Sequence, residues 1–237
     1  MKKVFISLLM MLFISQFYAQ NYKFGKVSKE ELLEKVYPLD ATANAVVLYK
    51  KRYTSFSYMA GKGFLIDTEI HERIKIYNKE GYDWATKRVR LYTPKSGDKD
   101  DVSILDAETF VLENEKIESY KLRKSDIFNE QYNKYWSDEK FTMPNVVDGC
   151  VVEWRYKITS PYKSIDKVDL QLAIPIKKLE CKIVIPEYYV YNVRQVGFET
   201  IEYVESSKNE GFTVSGVQRD NGNPMMVTQQ QQGQRVD

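Results

Sequence analysis

Hydrophobic and polar residues alternate with a period of two along most of this chain. The longest such run is FLIDTEIHERIKIYN, Phe64 to Asn78. It predicts a long strand with Ile70, Glu72, Ile74 and Ile76 on one face and His71, Arg73, Lys75 and Tyr77 on the other. AVVLYKKRY and TSFSYMA, just before it, predict a strand pair. NKEGYD reads as a turn in which Gly81 supplies unusual dihedrals, and WATKRVRLYTP as the strand returning beside Phe64–Asn78. SILDAETFVL and KIESYKL form a hairpin around Asn114. VDGCVVEWRYKIT is the clearest strand, with Cys150, Val152, Trp154, Tyr156 and Ile158 on one face and Val151, Glu153, Arg155 and Lys157 on the other.

Other stretches depart from that period. SKEELLEKVY, residues 28–37, predicts a short helix with Ser28 as N-cap, Glu31 completing a capping box, and Leu32, Leu33 and Val36 as its apolar stripe. Residues 123–140 are polar and aromatic with no clean period and read as an ordered connection with room for a short helix. DLQLAIPIKKLECKIVIPEYY predicts two strands, with Pro175 and Pro186 at edges or ends. Residues 193–206 and 211–217 predict a last hairpin around KNEG. Beyond it, residues 218–237 read as a Gln-rich disordered tail or linker. The predicted fold is an all-β antiparallel sandwich with a short N-terminal helix, one domain over 22–217.

Residues 1–20, MKKVFISLLMMLFISQFYAQ, have the parts of a secretory signal: Lys2 and Lys3, an apolar run from Val4 to Ile14, and Ala19 near a cleavage site. The run is short for a membrane span, which takes about 20 residues. The expected location is therefore exported, periplasmic or extracellular, with no stable span after cleavage. Without the two signal lysines, 33 basic residues face 33 acidic ones. That balance argues against nucleic acid as a partner, because phosphate binding needs a basic excess or patch.

FTMPNVVDGCVVEWRY, Phe141 to Tyr156, sets a cysteine between Asp148 and Glu153. A thiol nucleophile needs a base, usually histidine, and the chain has one, His71. It falls on the charged face of its strand and reads as a surface or edge-strand residue. Cys150 opens a strand after a turn glycine, and both it and Cys181 read as small strand hydrophobes. A disulfide between them is open in an exported protein. Two cysteines and one histidine do not make a zinc cluster of the Cys/His-rich kind. The acid pair Asp100–Asp101 lies in a loop, and the tyrosine runs YKKRYTSFSY and PEYYVY suit sugar stacking or sheet packing. No catalytic, cofactor-binding or metal-binding residue is expected.

Four segments together, VYPLDATANAVVLYKK, HERIKIYNKEGYDWA, ILDAETFVLENEKIESYKL and KYWSDEKFTMPNVVDGCVVEWRYKI, stand in the order found in the domain family DUF3857. The resemblance covers roughly residues 22–200, and F-T-x-P-N-V-x-x-G-x-x-x-E-x-x-Y is its most specific part. One departure is Leu170, where the family more often has an aromatic before the glutamine. The resemblance implies a β-sandwich that precedes a transglutaminase-like domain in exported bacterial proteins, many from the Bacteroidetes. The family's Cys-His-Asp set belongs to that later domain, so no catalytic residue carries over. The expectation is a stand-alone relative or a truncated form of a longer protein. It would be a non-catalytic binding or scaffolding module whose partner is a transglutaminase-like domain or another envelope protein. A carbohydrate- or peptide-binding module using exposed tyrosines is the alternative, and a hydrolase with an unrecognised carboxylate pair comes third.

Overall fold

The computed structural model describes residues 22–197, 201, 204–220 and 223–236. The signal sequence lies outside them. The fold is an all-β antiparallel sandwich with a short N-terminal helix. Helix α1 (Lys29–Leu33) is followed by β1 (Ala45–Met59), β2 (Gly63–Ile76), β3 (Thr86–Tyr92), β4 (Asp101–Glu113), β5 (Lys116–Lys121) and β6 (Ile127–Gln131). Then come β7 (Trp136–Thr142), β8 (Val151–Ser160), β9 (Leu179–Ile183), β10 (Ile185–Pro186), β11 (Ser207–Asp220) and β12 (Asn223–Val236). The main sheet has the order β5-β4-β8-β2-β1-β9, and smaller sheets run β3-β7-β6 and β10-β12-β11.

The sandwich closes where β3-β7-β6 lies on one face of the main sheet. Val89, Leu91, Phe141 and Met143 meet Ile70, Ile74, Val152, Trp154 and Tyr156 there, and Cys150 is buried among them. The other face of the main sheet is also covered. Residues 22–37 run across it as a strap, and Tyr22, Val27, Leu32 and Tyr37 pack on Val46, Leu48, Tyr49, Tyr77, Phe110 and Val151. A sheet buried on both faces has no solvent side for its polar residues, so the alternating charges of β2 must pair indoors.

A bulge in β1 sets which charges meet which face. Val47 sits opposite Ile74 while Tyr49 sits opposite Arg73, so Leu48 is the extra residue. Beyond it the alternation changes phase. Tyr49 turns to the strap with Val46 and Leu48, and Lys50, Arg52 and Thr54 turn to the sandwich interior.

Several elements match the sequence pattern. β2 and β8 have the predicted faces, and the capping box of α1 is complete in both directions. Asn114 and Glu115 both take positive φ, 48° and 62°, as the two-residue turn between β4 and β5 requires.

Others differ. α1 ends at Leu33, and Leu33 and Val36 are 54% and 52% exposed, so of the predicted stripe Leu32 alone is buried. Ala45–Met59 is one strand rather than a pair, because its partner is β2 along its whole length. β3 pairs with β7 and not with β2: the turn before it is a 3-10 helix, Lys79–Ala85, that carries the chain to the second sheet. Residues 123–140 hold β6 and β7, the rest of that sheet. DLQLAIPI is not a strand, and β9 joins β1 in parallel at the sheet edge. KNEG lies inside β11, which pairs with β12, so Asn223–Val236 is strand where the Gln-rich composition suggested a tail.

Gly81 does not take a positive φ. A Cβ there would run into the backbone oxygen of Asn44, with the Asn44 carbonyl carbon at 3.0 Å and Ala45 Cβ at 3.2 Å. The residue is glycine for want of space, where the 3-10 helix passes the start of β1. Gly81→Ala should therefore destabilise the fold by about 2 kcal/mol, a typical cost of overpacking. Equilibrium denaturation will measure it; stability equal to the parent protein would contradict the crowding.

Candidate functional site

The most polar buried region lies between the strap and the main sheet, and Arg73 is its centre. Arg73 is 1% exposed. Its Nε and Nη2 donate to Glu153 Oε1 at 3.0 and 2.9 Å. Nη1 donates to Lys26 O at 3.1 Å and to the Glu31 carboxylate at 3.1 and 3.2 Å. Nη2 also donates to Lys23 O at 2.8 Å. All three guanidinium nitrogens are thus engaged, by two strap carbonyls and two buried carboxylates. Glu153 Oε2 accepts from Gly25 N at 2.9 Å, and Oε1 lies 2.6 Å from His71 Nε2. A carboxylate oxygen only accepts, so Nε2 carries the hydrogen.

Local sequence positions each part. The α1 capping box points the Glu31 carboxylate back at Ser28 N, 2.8 Å away, and so towards Arg73. Tyr22 stacks on Tyr49 at 4.6 Å with an interplanar angle of 6°, and the Arg73 guanidinium lies 5.2 Å from the Tyr22 ring. Burial, then the Glu31 charge, pushes the Tyr22 hydroxyl up to about 12. Lys75 Nζ donates to Leu32 O at 2.8 Å and Gly149 O at 2.6 Å. Burial pulls its ammonium down to about 8. Tyr77 OH donates to Glu34, and burial with that bond raises its pKa.

A second charged group lies inside the sandwich. Glu72 Oε2 accepts from Lys87 Nζ at 2.5 Å and from Trp154 Nε1 at 2.7 Å, and Lys50 Nζ is 3.7 Å from Oε1. Burial pushes the Glu72 carboxyl up. The charges of Lys87 and Lys50 and the bonds from Lys87 and Trp154 outweigh it and hold it below the usual range. Lys87 also lies 5.7 and 5.6 Å from the Trp154 and Tyr156 rings. At one end the sandwich opens into a cleft of about 370 Å³, bordered by Arg52, Tyr92, Trp136, Tyr156 and Tyr162.

Cys150 is buried in the core of the sandwich, and burial raises its thiol above the usual value. His71 lies on the strap face, its ring 5.2 Å from Tyr49. The two stand on opposite sides of the main sheet. His71 is not on a surface or at an edge, as its pattern suggested: β2 is an inner strand, and the side chain is 11% exposed. Charged residues signal solvent only where nothing covers the face. Cys181 is exposed on the edge strand β9, and both cysteines are free thiols. Asp100 Oδ2 accepts from Tyr92 N at 2.7 Å, a bond that braces its loop. Asp101 opens β4, and burial first, then the charge of Asp101, raise the Glu139 carboxyl. The tyrosine runs pack. Tyr49 lies under Tyr22, and Phe56 stacks with Tyr189 at 5.3 Å beside Tyr191. Arg73, Lys75 and Glu72 were visible only as charges in a strand; their abundance in a long run rich in isoleucine was the available sign of a doubly covered sheet.

Among the described residues no group of three or more metal-ligating side chains comes together, and no helix is long and apolar enough to cross a membrane. No protein-family model matches the chain, and no curated protein matches it. Solved structures do. A candidate protease from Parabacteroides distasonis is similar over 81% of this chain and 34% of its own, at 10% identity and a TM-score of 0.51. An M1 zinc metallopeptidase from Deinococcus radiodurans matches over 86% of this chain and 45% of its own, at 10% identity, but its TM-score of 0.27 carries no structural argument. The chain thus spans about a third and under half of these two proteins. The first likeness is one of fold alone.

Two predictions concern the strap. Arg73→Met leaves Glu153 and Glu31 buried without their cation and should cost about 3–5 kcal/mol, the range for breaking a buried pair from one side. Chemical denaturation will show it, and limited proteolysis should cut within residues 22–37 first; an unchanged cleavage pattern would contradict the anchoring. The other is a pH dependence. The folded Lys75 pKa of about 8 lies below its ordinary 10.5. Between those values the unfolded chain holds more protons, so this residue makes stability rise with pH from about 8 to about 10. Cys150, raised by burial, and the raised tyrosines act in the opposite sense. In a Cys150→Ala background the rise should be present, and Lys75→Met should remove it; parallel stability curves for the two proteins would refute the assignment.

Proposed function

We propose that this protein is an exported, non-catalytic β-sandwich that serves as a binding or scaffolding module beside a transglutaminase-like or other envelope protein. One observation carries the reading. The sole histidine and the buried cysteine face opposite sides of the main sheet, and His71 is spent on Glu153, the residue that anchors the strap. A thiol with no base and no access to solvent has no route to acyl transfer.

The resemblance to DUF3857 supports the same reading. Its most specific motif spans residues with structural duties: Asn145 and Gly149 take positive φ, 50° and 80°, in the turn before β8, and Glu153 holds Arg73 and Gly25. The likeness to one third of a candidate protease is in keeping with a module that accompanies a catalytic unit. Export rests on the lysines, apolar run and small residue of the first 20 positions.

Purified protein incubated with casein and a primary amine should show neither crosslinking nor peptide release above buffer. Activity that Cys150→Ser abolishes would overturn the proposal.

A further inference from the structure

We propose that this chain pairs with a second copy of itself along the free edge of β9, as an antiparallel two-fold dimer centred on Cys181. The dimer is independent of the non-catalytic reading. β9 is the last strand of the main sheet, bonded on one side to β1 in parallel. Lys50 N donates to Lys178 O at 2.9 Å, and Val184 N donates to Thr54 O at 2.8 Å. A strand residue turns its N–H and C=O the same way, and successive residues turn theirs opposite ways. The even-numbered residues of 178–184 therefore face β1, while Leu179, Cys181 and Ile183 turn their backbone groups outward. Among the described residues no strand pairs with that outer side; β12 meets the chain only further on, at Ile185 and Pro186. An open row of donors and acceptors is a template for another strand.

The side chains select the strand that fits. In LECKI, Glu180 and Lys182 flank Cys181, and Leu179 and Ile183 stand outside them. Outward residues of one strand exchange bonds with outward residues of the other, so the registers open to two copies differ by steps of two. With Cys181 opposite its own copy, Glu180 lies opposite Lys182 and Leu179 opposite Ile183, and the two-fold axis repeats both pairs. A shift of one step sets Lys182 against Lys182 in one direction and Glu180 against Glu180 in the other. Like charges directly opposite destabilise a strand pair; opposite charges and apolar neighbours stabilise it. Lysine on an edge strand ordinarily repels a second edge. Here Glu180 cancels that protection for one partner, a second copy, and for one register.

The residues that would meet are accessible. Glu180, Cys181 and Lys182 are all exposed. Glu180 is held in position, since Tyr49 OH donates to its Oε2 at 2.8 Å and Lys178 Nζ lies 2.8 Å from its Oε1. A carboxylate keeps further acceptor sites for a lysine of the second copy. Glu180 lies on the strap face with Tyr49, whereas Leu179, Cys181 and Ile183 follow their neighbours Lys50, Arg52 and Thr54 to the other face. Residues opposite one another at a hydrogen-bonded position have Cα atoms about 5.5 Å apart. That is inside the roughly 4.4–6.8 Å that a disulfide spans, so the two thiols report the register. The five residues of β9 make a contact well under the roughly 1,000 Å² of a stable interface, and the dimer is accordingly a weak one.

Sedimentation velocity of the whole chain, under reducing conditions and up to about 1 mM, should show a monomer–dimer equilibrium. Lys182→Glu sets carboxylate against carboxylate in both pairs and should weaken it about tenfold. Adding Glu180→Lys to that variant exchanges the signs together and should restore it. Oxidised glutathione gives a second readout. One Cys181 thiolate attacks it and releases a glutathione thiol; the other Cys181 thiolate then displaces the second glutathione and leaves a Cys181–Cys181 bond. The crosslinked dimer should appear on non-reducing gels and vanish in Cys181→Ser. In that background Lys182→Cys should crosslink about tenfold more slowly, because its thiols stand on a diagonal about 7–8 Å apart, beyond disulfide reach. The inference fails if the chain stays monomeric at about 1 mM, if Lys182→Glu associates as the parent does, if the double exchange restores nothing, or if Lys182→Cys crosslinks as fast as Cys181.

Discussion

A fully buried guanidinium must find acceptors for its donors or the fold does not close around it. Arg73 finds them in two carboxylates and two carbonyls, and three of these four belong to the strap, at Lys23, Lys26 and Glu31. The rest of the N-terminal architecture answers to that constraint. The strap must cross β2 at one height, because the carbonyls of Lys23 and Lys26 have to reach one side chain. α1 must cap where it does, because the capping box aims Glu31. β8 must present Glu153 one pair across from Arg73, and the register of the two strands does so. A buried network of this kind adds little net stability over an apolar equivalent, but it is costly to leave half made. Its effect is to select one position for the strap among the many that an apolar contact would tolerate.

Much of the fold was legible in the sequence, for identifiable reasons. Period-two alternation found β2 and β8 and assigned their faces correctly, since a strand has only two sides. The turn at Asn114–Glu115 was legible because a two-residue hairpin loop demands positive φ, which Asn tolerates. The capping box was legible because its two bonds are local. What escaped was set by contacts distant in sequence. Alternation does not say whether the charged face meets water or another layer, and so His71 read as a surface or edge-strand residue. A one-residue bulge at Leu48 leaves no trace in composition, yet it decides that Lys50 meets Glu72 and that Arg52 lines the cleft. Gly81 read as a dihedral requirement and proved to be a steric one, because Asn44 lies 37 positions earlier in the chain and only the fold brings it near. The second sheet was hidden for the same reason: β6 and β7 are short, polar on one side, and paired with a strand that seemed to belong to β2.

The candidate site was legible only in its negative half. Pattern alone placed Cys150 on the apolar face of β8 and Glu153 on the other, and that was enough to separate the thiol from its flanking acid. The cleft was not legible, since its borders come from β1, β2, β3, β7, β8 and the loop after β8, and no window of sequence holds them together.

The two faces of the main sheet hold their buried charges in different ways. On the strap face, Arg73 is matched by Glu153 and Glu31, and Lys75 by two carbonyls; every guanidinium hydrogen of Arg73 has an acceptor, which gives that face a structural task. Inside the sandwich, Lys50 and Lys87 share Glu72, and Arg52 has only neutral partners. Burying two ammonium groups against one carboxylate costs stability, which the Trp154 and Tyr156 rings beside Lys87 offset in part. The strap face is thus fixed by its own partners, whereas the cleft at the end of the sandwich keeps Arg52 on neutral acceptors and Asp100 and Asp166 beside it, a mixed border that the packing of the strap does not depend on.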